Sequence, residues 1–302
     1  MKWTEQNIPD QRGRVAIVTG ANSGIGWDTA RALAQKGATV IMACRNLAKA
    51  TPAADEIKAL KPKGAVVVMQ LDLSDLESVH AFAEAFQAQY DRLDLLINNA
   101  GVMVPPYGKT KQGFEQQFGV NHLAHFVLTA LLIDLLNATP NARVVTVSSG
   151  AHRFGTIKFD DLQSEKSYQP ERVYGQSKLA NLLFTYELQR RLEKSGQGTI
   201  AVAAHPGWTS TNLQQHSTLI RVMNPIFAQD GPMGALPTLY AATATDVQGG
   251  DYYGPGGLFE MRGYPKKVGS SDRSRDEAVA ERLWSVSEDL TQVKFDLAGV
   301  RV

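Results

Sequence analysis

Short apolar runs alternate along most of this chain with longer stretches in which apolar residues recur every three or four positions. Val15 to Val18, Ala38 to Ala43 (broken only by Thr39), Ala65 to Leu71, Leu93 to Ile97, Arg143 to Val147 and Thr199 to Ala204 are short and largely apolar. Runs of this kind predict parallel strands buried on both faces. After the first run, Ile25, Ala30, Leu33 and Ala34 fall at helical spacing, and long helical patterns cover Phe114 to Leu136 and Tyr174 to Leu192. Alternation of strand and helix along the chain predicts an α/β fold built on a doubly wound parallel sheet, the Rossmann fold. Its ligand crevice lies beyond the carboxyl ends of the strands. From Gly249 to Gly269 the chain turns rich in Gly, Pro and Tyr, and a last amphipathic helix is expected over Asp276 to Leu290. Residues 249–302 therefore read as an irregular extension of a single domain spanning 1–302.

Composition narrows the setting. Hydrophobic residues make up 43% of the 302 positions, enough for a sizeable core, and a formal net charge of +1 gives no support for nucleic-acid or membrane-surface binding. The first ten residues are polar, so no export signal is expected. Phe126 to Leu136 is interrupted by Asp134 and falls short of the roughly 18 apolar residues a membrane span requires, so no span is expected. Cys44 is the only cysteine, which rules out an internal disulfide and suits a reducing cytoplasm.

The chemistry concentrates in two places. Gly20, Gly24 and Gly26, with Asn22, Ser23 and Ile25, join the first strand to the first helix. Glycine there permits positive φ and close backbone approach, so amides at the helix start can surround a pyrophosphate. Far along the chain, Tyr174 and Lys178 stand four apart and share one helix face. A neighbouring ammonium favours the phenolate and should bring the phenol closer to working pH, fitting it to pass a proton to a carbonyl oxygen. The second strand ends in Cys44 and Arg45 rather than a carboxylate. A carboxylate there would favour NAD; a guanidinium accommodates a 2′-phosphate, so the reading is NADP(H).

With these residues in hand the chain resembles the short-chain dehydrogenase/reductase superfamily, through the glycine turn, Asn98 to Gly101 (Asn, Asn, Ala, Gly) and Tyr174-x-x-x-Lys178. It is most similar to the retinol dehydrogenase-like branch, through Ala43 to Arg45, Leu71 to Ser74, Phe159 to Gln163 and Tyr174 to Asn181. The resemblance implies cofactor contacts from Asp72 and Leu73 at the adenine, from Asn99, Ala100 and Gly101 at the ribose, and from Pro206, Gly207, Thr209 and Thr211 at the nicotinamide. Read without it, Asp72 is also suited to cap the helix beginning near Ser74. The resemblance further implies Ser149, rather than Ser148, as the group bonding the substrate oxygen, and Asn121 as the holder of a water linking Lys178 to solvent. Asn121, Ser149, Tyr174 and Lys178 are then the catalytic set, acting on a small-molecule carbonyl or alcohol.

Other clusters read as structural. His122 and His125 lack the companion ligands of a metal site, and no metal is expected. Asp160 and Asp161 read as a solvated pair. Residues 151–172 are expected to form a lid or rim of the substrate site. The apolar stretch within 207–232, including Leu213, Ile220 and Phe227, is suited either to line a lipophilic pocket or to pack on the sheet. A retinal-, steroid- or terpenoid-like aldehyde or ketone fits the first option. A protochlorophyllide reductase-like enzyme and a non-catalytic NADP(H) sensor or scaffold are the competing functions. The resemblance allows a homodimer or homotetramer paired through the Phe114 and Tyr174 helices, unless the C-terminal extension covers them.

Overall fold

The computed structural model describes residues 2–208 and 229–297. Its strands are β1 (Val15–Thr19), β2 (Thr39–Cys44), β3 (Val66–Gln70), β4 (Leu95–Asn98), β5 (Arg143–Val147), β6 (Ile200–Ala204), β7 (Tyr252–Pro255) and β8 (Pro265–Lys267). They form one sheet in the order β3-β2-β1-β4-β5-β6-β7-β8, parallel except for the antiparallel edge strand β8. Chain order reverses at β1, which pairs with both β2 and β4, so a crevice opens where their carboxyl ends part.

Side chains leave each strand alternately toward two helical layers. Ile17, Ile41 and Ala43 enter one core with Phe118, Phe126 and Leu183. Ala16, Val18, Val40 and Met42 enter the other with Leu33 and Leu239. The helices are α1 (Gly24–Gln35), α2 (Leu47–Ala59), α3 (Leu76–Gln87), α4 (Gln116–Ala138), α5 (Pro170–Lys194), α6 (Gly231–Thr243) and α7 (Glu277–Thr291).

Three features depart from the sequence reading. Helix α6 starts inside what was expected to be a substrate loop. Pro232 sits in its first turn, where a missing N–H costs nothing, and the Asp230 carboxylate accepts from Met233 N at 3.0 Å. The C-terminal extension is part of the fold rather than an irregular tail. It supplies β7 and β8 to the sheet, and α7 places Trp284 against Phe126 (5.1 Å between ring centroids) and Phe184 (5.8 Å). On α4 and α5, Phe126 and Phe184 are thus packed against the extension rather than free for a second copy of the chain. Finally, α4 is long and apolar enough to cross a membrane, contrary to the span expected too short; 78% of its most apolar 18-residue window is buried within the protein, as in a core helix.

Candidate active site

At the β1 end of the crevice the glycine turn is packed to backbone contact. Gly20 (φ 67°) and Gly24 (φ 55°) adopt the left-handed region. A Cβ on Gly26 would stand 2.5 Å from the Gly20 carbonyl oxygen and 2.6 Å from Asn99 Nδ2. Ser23 precedes α1 without a side-chain cap, so the first amides of the helix are not satisfied by that hydroxyl. Thr19 ties this turn to the next loop: its Oγ1 accepts from the amides of Asn99 (3.0 Å) and Ala100 (2.9 Å), and Asn99 Nδ2 donates to the Thr19 carbonyl at 2.8 Å. With both lone pairs engaged, the Thr19 hydroxyl donates to His125 Nε2 at 3.0 Å. His125 Nδ1 then carries the proton and donates to the Asn121 carbonyl at 3.1 Å. Burial pulls the His125 imidazole down to about 4, which keeps this neutral tautomer at physiological pH. Cys44 lies under the same turn; burial pushes its thiol up to about 11, against hydrogen bonds from the Ala21 and Asn22 amides.

Across the crevice α5 brings Lys178 Nζ to 5.7 Å from the centre of the Tyr174 ring. The expected acidification of the phenol does not occur. Burial pushes Tyr174 up to about 12, outweighing a hydrogen bond with the Ser149 side chain. Burial also lowers Lys178 to about 8, and its Nζ donates to the Val147 carbonyl at 3.1 Å. Both members of the Ser pair line the cavity, with different partners: Ser148 is buried and donates to the Lys178 carbonyl at 2.8 Å, while Ser149 is half-buried and accepts from Ala151 N at 3.2 Å. Asn121 sits in a π-type turn, residues 119–123, within α4. Its side chain accepts from Val102 N (2.8 Å) and donates to the Val102 carbonyl and to Ser177 Oγ (3.0 Å each). The side chain thus braces the segment after Gly101 beside Lys178.

One cavity of about 690 Å³ joins these parts. The short chain dehydrogenase family profile matches residues 14–219, the stretch that carries the glycine turn, Asn99, Asn121, Ser149, Tyr174 and Lys178. The chain belongs to the short-chain dehydrogenase/reductase family. Retinol dehydrogenase 12 of Mus musculus is 46% identical over 299 residues, spanning 97% of this chain and 90% of its own. Retinol dehydrogenase 14 of Homo sapiens is 41% identical, spanning 91% of this chain and 85% of its own. A crystal structure of an uncharacterized protein from Mycobacterium Paratuberculosis superposes with a TM-score of 0.84 at 44% identity, covering 98% of this chain and 100% of that one. The Pseudomonas aeruginosa RhlG/NADP complex shares the fold, with a TM-score of 0.64 at 23% identity, covering 80% of this chain and 94% of its own. This short-chain dehydrogenase is therefore a retinol dehydrogenase-like oxidoreductase of CH–OH and C=O groups that uses a nicotinamide cofactor.

Its cavity brings together Gly20, Asn22, Ser23, Gly24, Ile25, Gly26, Asn99, Ala100, Gly101, Ser149, Tyr174, Lys178, Pro206 and Gly207. Asn121 lies buried behind the wall, and Thr209 and Thr211 fall outside the described residues, as do residues 209–228 of the expected substrate loop. Arg45, Asp72 and Leu73 are not in the cavity but lie just past the carboxyl ends of β2 and β3, on the same edge of the sheet. Asp72 Oδ1 accepts from the amide (2.9 Å) and hydroxyl (2.6 Å) of Ser74, a local turn ahead of the helix, whose N-cap is instead Asp75, accepting from Glu77 N at 3.0 Å. Leu73 packs into the core. The close glycine packing and the cap-free start of α1 fit a dinucleotide pyrophosphate. Sequence reasoning missed Thr19, His125 and Ser177, whose roles depend on hydrogen bonds across the fold. It also missed Phe259, Glu260 and Met261, which line the cavity from a segment without a motif, whereas Trp208 lies in the stretch expected to line the pocket. The residues 151–172 expected at the rim do supply Arg153, Phe154 and Glu171 to it. His122 and His125 hold no metal cluster among the described residues, and Asp160 and Asp161 are a surface pair bonded to Lys166.

Proposed function

We propose that this enzyme is an NADP(H)-dependent reductase of lipophilic aldehydes and ketones, with alcohol oxidation as the reverse reaction. The observation that carries the reading is the convergence of Ser149, Tyr174 and Lys178 on one side of a cavity whose other end is the glycine turn and whose mouth carries Phe154, Trp208, Phe259 and Met261. The amides of the glycine turn, Asn99 to Gly101, Lys178 and Pro206–Gly207 would hold the cofactor. Arg45, exposed and without an ion-pair partner among the described residues, is placed to take a 2′-phosphate, and no carboxylate at the end of β2 opposes it. When bound, the nicotinamide supplies or accepts the hydride.

The protein groups handle the proton. A phenol held up at about 12 stays protonated at neutral pH, as a general acid in carbonyl reduction must be. Tyr174 donates its proton to the substrate oxygen as negative charge develops there. Ser149, bonded to the same phenol, offers a second donor to that oxygen. Lys178, with its ordinary value lowered to about 8, is mainly charged at pH 7 and stabilises the phenolate left behind.

The test is NADPH absorbance followed against a panel of aliphatic, aromatic and terpenoid aldehydes and ketones, with Tyr174→Phe as control. Wild-type enzyme should consume NADPH with the apolar members. The variant should bind NADPH with unchanged affinity and turn over at least ~100-fold more slowly. Tight NADPH binding with no turnover of any carbonyl would replace the reading with that of a cofactor sensor.

A further inference from the structure

Two turns at the mouth of the cavity are left unused by the proton chemistry. One follows Ser149 and carries Arg153 and Phe154; the other, residues 256–263 between β7 and β8, carries Phe259, Glu260 and Met261. All five side chains line the cavity. An ion pair joins the turns: Arg153 Nη2 donates to Glu260 Oε1 at 3.2 Å and to the Gly269 carbonyl at 3.0 Å. The other Glu260 oxygen accepts from His205 Nε2 at 3.0 Å. The amide of Gly207 donates to His205 Nδ1 at 3.3 Å, so the ring proton resides on Nε2 and the imidazole is fully used.

The backbone at this turn is unusual. Phe259 (φ 51°) and Glu260 (φ 56°) are consecutive residues with side chains in the left-handed region, a conformation that persists only where the surroundings impose it. Here the Glu260 anchor imposes it, together with Trp208 N donating to the Met261 carbonyl at 2.7 Å and Gly257 N to the Arg262 carbonyl at 3.0 Å. Gly207 allows the approach, since a Cβ there would stand 2.4 Å from the Met261 oxygen. The outcome is a Phe259 residue 82% exposed, on a turn tied to the one that carries Phe154, itself 56% exposed. Isolated exposed apolar side chains need no explanation. Two such rings bordering one cavity, on turns clamped to each other and to the segment of Pro206 and Gly207, have a surface that an apolar ligand would cover.

We propose that Phe154 and Phe259 are specificity-determining residues that grip the part of the substrate remote from its reacting carbon, with Glu260 a positioning residue that fixes Phe259 through His205 and Arg153. The inference rests on the carbonyl-reductase reading and adds to it a dependence on substrate length.

Two series test it. The first is kcat/KM with NADPH for unbranched aldehydes from propanal to decanal; the second is calorimetric binding of the matching 1-alkanols, which needs no turnover. Wild-type values should rise by roughly fourfold per methylene once the chain reaches the rings. Phe259→Ala and Phe154→Ala should each lower the decanal value by about tenfold or more and the propanal value by less than about twofold, in line with the loss of a few buried methylenes. Glu260→Gln, which keeps shape and loses charge, should raise KM for decanal more than it alters kcat. Equal losses for both aldehydes, or wild-type protein that binds 1-decanol no tighter than 1-propanol, would overturn the proposal. Length-dependent alkanol binding that Phe259→Ala abolishes, in an enzyme that reduces no aldehyde, would uphold the gripping role and overturn the carbonyl reading.

Discussion

Arg45 stands one residue past β2, exposed and with no hydrogen bond or ion pair to another described side chain. A guanidinium in this state is free to make charge-assisted bonds worth about 1.5–3 kcal/mol. Arg45→Ala should therefore weaken NADPH binding roughly 10- to 150-fold and leave NADH binding nearly unchanged; fluorescence titration with both cofactors measures it, and equal losses would remove the assignment. At this scale the sequence carried residue types and spacing well. Tyr174 and Lys178 share a helix face, and Ser149 bonds the Tyr174 phenol while Ser148 is tied to the Lys178 carbonyl. It did not carry the sign of the Tyr174 shift, because the opposing effects of a nearby ammonium and of burial depend on what packs around the ring. Nor did it reveal His125 as a link between Thr19 and the Asn121 carbonyl, since that role requires residues 19 and 121 to meet in space.

The junction of β1 and α1 is held by contact rather than by hydrogen bonds alone. Gly26→Ala would drive a methyl group into the Gly20 carbonyl oxygen and the Asn99 amide, neither of which is a flexible chain end free to swing away. A loss of about 1–3 kcal/mol is expected from overpacking, seen as a lower urea midpoint together with weaker NADPH binding. Gly198→Ala, where nothing lies within 4 Å of an added Cβ, is the matched control; indistinguishable behaviour of the two variants would refute the packing argument. The six parallel strands from β1 to β6 were legible as apolar runs, written by burial on both faces in the interior strands and by the valines of the half-buried edge strand β3. β7 and β8 were not, being four and three residues long and rich in Gly, Pro and Lys. Helix α6 was hidden by Pro232 and Pro237, the first harmless in a first turn and the second tolerated inside a buried helix. The π-type turn at Asn121 leaves no pattern of its own within the apolar run of α4.

For the molecule as a whole, three of the buried imidazoles are pulled well below the ordinary histidine value. Burial lowers His122 to about 3, and His125 and His152 to about 4, against an unfolded value near ~6.5. Folded values below the unfolded one mean stability that is complete above about pH 6.5 and is lost as pH falls toward 4. Asp28, raised to about 6 by burial, and Glu115, also raised by burial, act in the opposite sense. Three groups against two leave at least one net proton taken up on unfolding, so unfolding free energy should fall by about 1.4 kcal/mol or more per pH unit near pH 5. Urea midpoints at pH 7, 6 and 5 check this, and a constant midpoint would contradict it. Two of these histidines knit the extension to the core: His122 bonds Ser287 Oγ at 3.0 Å, and Ser271 N donates to His152 Nε2 at 3.2 Å. That is why an extension without a readable motif behaves as an integral layer. The lone cysteine has a consequence of its own. Sealed beneath the glycine turn and protonated at ordinary pH, the Cys44 sulfur offers an alkylating reagent no thiolate until that turn lifts. The speed at which native protein takes up such a label is thus a clock for the opening of the coenzyme end, carried by every copy of the chain without any engineering.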